Sequence, residues 1–192
     1  MMNRTYPDAW IQTYIGKAFY PLEPAIEDID IIDIAWSLSH QCRYAGHCKR
    51  FYSVAEHSLW LVQVAPTPYK RWALLHDAAE TYLVDVPRPI KFSLGNYKRI
   101  EERLMYLIAE KFELEWPEPF AIEELDYRIL EDERLALMGS GKKPWTTGNP
   151  LGISSKTSEF SLTPEKVFQN FLETYKNLEG RKSQNHENTN SN

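Results

Sequence analysis

The 192-residue sequence predicts a mainly α-helical fold in one compact domain, and three observations carry that expectation. Apolar residues recur at intervals of three and four, as in Ile100, Leu104, Leu107, Ile108 and Phe112 and again in Ile122, Leu125 and Ile129. That is the period of helices with one buried face. Ser53-Val-Ala-Glu56 has the spacing of a capping box, in which the serine accepts from the third backbone N–H and the glutamate reaches back. Prolines fall between the periodic stretches, where they end one helix and open the next.

In order, residues 1–28, with Pro7, Pro21 and Pro24, read as a short irregular lead or a small hairpin. A first helix is expected over 33–40, with Ile34 and Leu38 inward, and a second over 57–64 behind the capping box. Pro66-Thr-Pro68 stops the second and starts a third, which Asp85-Val-Pro-Arg-Pro89 ends as a stiff extended segment. A fourth helix spans 97–112 and a fifth 123–138, followed by loop over 139–148. The last helix, 164–178, docks through Val167, Phe168, Phe171 and Tyr175. From Glu179 the chain is polar, so the domain is expected to cover 1–178 and a disordered tail 179–192.

With 43% hydrophobic residues the chain can bury one sizeable core. The two cysteines, Cys42 and Cys48, are too few for a disulfide scaffold, and no signal-like segment opens the chain, which points to a reducing, cytoplasmic setting. No apolar run approaches the length needed to span a bilayer, so no membrane partner is expected. The net charge of −5 argues against binding duplex nucleic acid, which needs a dense basic face.

The pair His76-Asp77 stands out because it interrupts the apolar, helical-looking stretch Trp72-Ala-Leu-Leu-His-Asp-Ala-Ala-Glu-Thr-Tyr82. Burying two such side chains is costly unless something binds them, and imidazole plus carboxylate is a ligand combination that divalent transition metals accept. His57, just inside the second helix, and Asp126, beside the apolar stripe of the fifth, complete a set of four that leaves coordination positions open. Taken singly, each histidine also suits a hydrogen-bonded core position and each aspartate a cap or ion-pair partner. On a helix, Glu80 projects from the same face as His76 and Asp77, one turn on. A competing zinc site from His40, Cys42, His47 and Cys48 lacks the paired Cys-x-x-Cys turns of structural zinc sites.

The order His57, His76-Asp77, Asp126 resembles the HD-domain metal-dependent phosphohydrolases. So do the segments Asp28-Ile-Asp-Ile-Ile-Asp-Ile-Ala-Trp-Ser-Leu-Ser39, Gln41-Cys-Arg-Tyr-Ala-Gly-His47, Phe51-Tyr-Ser-Val-Ala-Glu-His-Ser58, Leu74-Leu-His-Asp-Ala-Ala-Glu-Thr-Tyr82 and Asp85-Val-Pro-Arg-Pro-Ile-Lys91. They look like the nucleotide-specific branch, which includes bacterial 5′-deoxynucleotidases, prophage HD hydrolases and phage dATP triphosphohydrolases. The resemblance covers about residues 10–178. It implies an HD-domain helical bundle that assembles as a homo-oligomer, a dimer or hexamer. It also implies zinc, cobalt or manganese at His57, His76, Asp77 and Asp126, with Asp77 and Glu80 as the catalytic pair and Glu80 as the acid. Arg43 would bind phosphate, Tyr44 would pack on the sugar and exclude a 2′-hydroxyl, and Asp85 would accept from the 3′-hydroxyl.

Arg88 and Lys91, flanking Pro89, are placed to meet further phosphates, and the Pro89 segment to wall a base pocket. The Pro-Trp-Thr-Thr run at Trp145 resembles a family segment too, with packing or a pocket lid as its role. The leading expectation is a deoxynucleoside triphosphate triphosphohydrolase converting dATP to deoxyadenosine and tripolyphosphate, with an additional magnesium escorting the triphosphate. One alternative is a 5′-deoxynucleotidase acting on dNMP; another is a catalytically inactive nucleotide-binding protein. Glu123 and Glu124 depart from what a polyphosphate would favour next to Asp126.

Overall fold

The computed structural model describes residues 4–153 and 162–189, with side chains as far as Arg181. The architecture is mainly α-helical, as expected. Its helices are α1 (Ile31–His40), α2 (Val54–Val64), α3 (Lys70–Leu75), α4 (Glu80–Leu83), α5 (Arg88–Lys91), α6 (Tyr97–Lys111), α7 (Phe120–Leu137) and α8 (Pro164–Thr189). Ahead of them lies a hairpin of β1 (Ile11–Gln12) and β2 (Ala18–Phe19), antiparallel, with Ile11 opposite Phe19. Gly16, at φ +86°, turns the hairpin. The first three residues of the lead and the last three of the tail lie outside the described residues.

α2 is the central element and packs against α1, α3, α7 and α8. The periodic apolar positions meet there: Ile34 and Leu38 from α1, Leu61 from α2, Leu74 and Leu75 from α3, Ile122 and Ile129 from α7 and Phe171 from α8 are all fully buried. Leu104 and Ile108 of α6 belong to the same core. The hairpin is fastened to this body in two ways: Phe19 stacks on Tyr82 with ring centroids 3.7 Å apart, and the Ile15 N–H donates to Asp33 Oδ1 at 2.9 Å.

Six local expectations need correction. α1 begins at Ile31 because Asp30 caps it, accepting from the Ile32 N–H at 2.9 Å. Ser53 caps α2 as expected, accepting from the Glu56 N–H at 3.1 Å, so that helix begins at Val54. The Glu56 carboxylate, however, grips Arg50 at 2.7 and 3.0 Å. The segment 85–91 is not extended throughout: Arg88–Lys91 forms a helical turn, with Pro89 in the first turn where its missing N–H has no cost.

The last helix runs on to Thr189 instead of ending at Leu178. Glu179 lies 2.6 Å from Arg71 in an ion pair with the end of the body, and a single Gly180 weakens a helix without stopping it.

The correction that matters most for function concerns the third helix. It is not continuous from 72 to 82, because residues 76–79 form tight turns between α3 and α4. The amides of Ala78, Glu80, Thr81 and Tyr82 each bond to a carbonyl three residues back. At three residues per turn, positions i and i+3 eclipse, so Asp77 and Glu80 lie over one another more directly than an α-helix would place them.

Candidate metal and phosphate site

His57, fully buried on α2, donates from Nδ1 to Glu133 Oε1 at 2.5 Å. His76, at the end of α3, donates from Nδ1 to the Ala73 carbonyl at 3.0 Å. Both rings thus have one nitrogen anchored and turn Nε2 toward a common point, the arrangement in which an outer partner orients a ligating histidine. The two Nε2 atoms are 3.2 Å apart, and Asp126 Oδ1 on α7 lies 3.1 Å from His57 Nε2 and 3.9 Å from His76 Nε2. Donor atoms of His57, His76 and Asp126 all fall within 4.8 Å of one another, the group among the described residues that could hold a metal ion.

Asp77 stands at the edge of that trio. Its Oδ2 lies 3.2 Å from His76 Nε2 and 3.9 Å from His57 Nε2, but it also meets Arg43 at 3.2 Å. The site is therefore a three-residue convergence with a fourth carboxylate alongside, shared with a guanidinium. His40, Cys42, His47 and Cys48 form no comparable group among the described residues.

The electrostatics suit a cation. Burial disfavours the charged form of His76, yet the charge of Asp77, a hydrogen bond to it and the charge of Asp126 push its pKa up to about 10. Burial likewise opposes ionisation of Asp126, but the hydrogen bond and charge of His57 hold it down to about 2. The negative field that raises proton affinity at the rings is the field that attracts a divalent ion.

Arg43 is buried, and the following backbone is unusual: Tyr44, Ala45 and Gly46 all have positive φ, at +57°, +50° and +79°. A tyrosine in the left-handed region is disfavoured, and here the Tyr44 hydroxyl is fastened by a short hydrogen bond to Glu133. Trp145, from the loop after α7, stands 5.6 Å from the Tyr44 ring.

Arg43, Tyr44, Asp77, Glu80, Asp85 and Asp126 all line a cavity of about 550 Å³, which Arg88, Pro89 and Lys91 also border. A second cavity, of about 270 Å³, shares Asp77, Glu80, Arg88, Lys91 and Asp126 with the first and continues past Glu101, Glu118 and Glu123. At the junction Arg88 pairs with Asp126 Oδ2 at 3.2 Å, and Lys91 pairs with Glu80 Oε1 at 3.1 Å and Glu101 at 2.8 Å. Burial, reinforced by Asp77 and Asp85, pushes the Glu80 carboxyl well up, with Lys91 and Arg43 opposing. Glu80 Oε2 is buried without a hydrogen-bond partner among the described residues. Asp85 donates its N–H to Gln41 Oε1 at 3.0 Å and follows Val84, itself at φ +69°.

Over 170 residues the chain is 35% identical to the uncharacterized protein YfdR of Escherichia coli, an alignment that takes in 88% of this chain and 96% of that protein. It belongs to the YfdR family. A second relative, an uncharacterized protein of Rhodobacter capsulatus, is 36% identical over 116 residues, 55% of this chain and 59% of its own length. No family model matches the chain.

The residues expected from the sequence to hold metal, act in catalysis or bind substrate therefore border one site, while His40, Cys42, His47 and Cys48 line neither cavity. Sequence reasoning missed Glu133, Tyr52 and Glu118. Glu133 lies seven residues after Asp126, two turns along one helix face, and that spacing was the available signal. Glu118 lines the second cavity; burial pushes its carboxyl up to about 7, with His76 opposing and Asp77 and Asp126 assisting.

Proposed function

We propose that the chain is a metal-dependent phosphohydrolase of deoxynucleotides and that it converts dATP to deoxyadenosine and tripolyphosphate. The observation that carries this reading is the convergence of His57, His76, Asp126 and Asp77 on one side of a cavity that Arg43, Arg88 and Lys91 also border. A nitrogen and oxygen donor set with two anchored histidines fits zinc, cobalt or manganese. When bound, such an ion supplies Lewis acidity toward a phosphoryl oxygen and acidifies a water.

The chain's own groups do the remaining work. Arg43 presents a fixed planar fork to phosphate oxygens, held in place by Asp77 and Glu133. The Tyr44 ring, fixed through its hydroxyl, forms a wall against which a deoxyribose packs. Asp85 is positioned to accept from the sugar 3′-hydroxyl. Glu80, whose carboxyl is pushed well up by burial and by Asp77 and Asp85 against the opposing Lys91 and Arg43, gives a proton from Oε2 to the departing 5′ oxygen. Tyr127, Leu130, Pro144 and Trp145 from α7 and the following loop, with Pro87 and Pro89, supply apolar surface for a base. Arg88 and Lys91, bordering both cavities, meet the β- and γ-phosphates, and magnesium accompanying the triphosphate offsets the acids beyond.

A second reading, a 5′-deoxynucleotidase acting on dNMP, is favoured by the acids of the second cavity, Glu101, Glu118 and Glu123, which repel an unescorted polyphosphate tail. Product analysis of metal-loaded protein against the four dNTPs, the four dNMPs and ATP separates the two. Deoxyadenosine with tripolyphosphate from dATP is the expected result. Inorganic phosphate from dNMPs with dNTPs untouched transfers the assignment to the second reading, and no product from any of them removes both.

A further inference from the structure

Glu133 is fully buried and its two oxygens serve different neighbours. Oε1 accepts from His57 Nδ1 at 2.5 Å and from the Tyr52 hydroxyl at 2.8 Å. Oε2 accepts from the Tyr44 hydroxyl and lies 3.4 Å from Arg43 Nε. One carboxylate thus touches His57, of the metal group, through one oxygen and Arg43 and Tyr44, which border the cavity, through the other.

We infer that Glu133 is the positioning residue of the site, fixing His57 with its Nε2 toward the metal position and, at the same time, holding Arg43 and Tyr44 in their substrate-facing conformation. This rests on the function proposed above.

A neutral imidazole carries its proton on one nitrogen, and an acceptor at Nδ1 places it there, leaving the Nε2 lone pair for a cation. A carboxylate, which only accepts, is the group that specifies this tautomer without ambiguity. On the other side, Tyr44 occupies a left-handed backbone conformation disfavoured for a side chain of its size. Its hydroxyl bond to Glu133 spans 89 residues of sequence and locks the 43–46 loop to α7. Arg43 cannot be placed independently, since Glu133 and Asp77 meet its guanidinium from two elements. With Glu133 gone, the ring of His57 is free to take the other tautomer, and Tyr44 and Tyr52 are left with buried hydroxyls and no acceptor.

The test is Glu133→Gln, which keeps the shape but puts an amide donor against donors. Divalent-ion affinity, read by calorimetric titration with Mn²⁺ or Co²⁺ into metal-free protein, is expected to fall about 10–100-fold, the usual effect of removing an outer partner of a ligating histidine. KM for the nucleotide is expected to rise together with that loss. Tyr52→Phe, which removes a donor to the same oxygen while leaving the His57 contact, is expected to shift metal affinity by less than about threefold. Wild-type metal affinity in a folded Glu133→Gln protein overturns the inference.

Should that variant fail to fold, imidazole ¹⁵N–¹H spectra of the metal-loaded wild type decide instead. A downfield Nδ1 proton on a His57 ring ligated through Nε2 supports the role, and its absence overturns it. Neither the metal titration nor the imidazole spectrum requires turnover, so a protein that binds metal but hydrolyses no nucleotide contradicts the proposed function and leaves Glu133 to be judged by these two measurements.

Discussion

On the wall formed by α2 and α7, His57 and Glu133 have no solvent exposure and each makes more than one polar contact. On the rim formed by α5, the side chain of Arg88 is 51% exposed and holds Asp126 by a single 3.2 Å pair, while Lys91 splits between Glu80 and Glu101. Losing a partner on the buried wall strands a desolvated polar group. An exposed pair is weak and readily exchanged. The wall therefore suits fixed coordination geometry, and the rim suits cations that move from carboxylates to an arriving phosphate.

Breaking the wall should have the largest effect. His57→Ala or Asp77→Ala is expected to abolish both metal content, read by elemental analysis, and nucleotide turnover; normal metal content with full activity would remove either residue from the site. Glu80→Gln comes next, with turnover down about 10²–10⁴-fold, the range for loss of a general acid, while bound metal stays at the wild-type level. Arg43→Ala follows, raising KM roughly 10–100-fold, the equivalent of one lost charge-assisted hydrogen bond, with the metal retained. An unchanged KM would move the phosphate site elsewhere. Arg88→Ala, on the rim, is expected to change KM only a few-fold, in keeping with an exposed pair, and more for a triphosphate than for a monophosphate.

Acid titration of the metal-free protein separates the wall from the second cavity. Burial pushes the Glu133 carboxyl up, but His57 and Arg43 dominate and hold it down to about 2 from its ordinary 4.5. Its contribution to stability is therefore complete above pH 4.5 and is lost as pH falls through about 2. Glu118, pushed up to about 7, behaves in the opposite sense: its contribution is complete below pH 4.5 and is lost as pH rises through about 7. Thermal melts against pH should show Glu133→Gln flattening the acid limb and Glu118→Gln flattening the slope between pH 4.5 and 7.

The helical frame was legible because burial follows the apolar period, as Leu104, Ile108, Ile122 and Ile129 illustrate. His57, His76, Asp77 and Asp126 were legible for the converse reason, as polar residues set on or beside apolar faces. Glu133 was hidden within Leu130-Glu-Asp-Glu-Arg134, a run of four consecutive charges that looks like a solvated face. Two of the four are fully buried: Glu133 serves the site, and Asp132 accepts from the Leu151 and Ile153 amides at 2.5 and 2.7 Å. Their partners lie far along the chain, so within that run only the seven-residue spacing from Asp126 to Glu133 marks either of them. The turn at 76–79 was equally hidden, because Leu74 to Tyr82 has ordinary helical propensity, and the tightening shows only in the three-residue hydrogen bonds of the folded chain. The helical turn at Arg88–Lys91 was obscured by two prolines that suit either an extended segment or a first turn.

The most direct measurement is hydrolysis of dATP by metal-free protein titrated with Mn²⁺ or Co²⁺. With dATP supplied as its magnesium complex, activity that rises linearly with the added ion and saturates at one Mn²⁺ or Co²⁺ per chain, and that vanishes on chelation, is the predicted result. Hydrolysis indifferent to both metal and chelator would contradict the account at its centre.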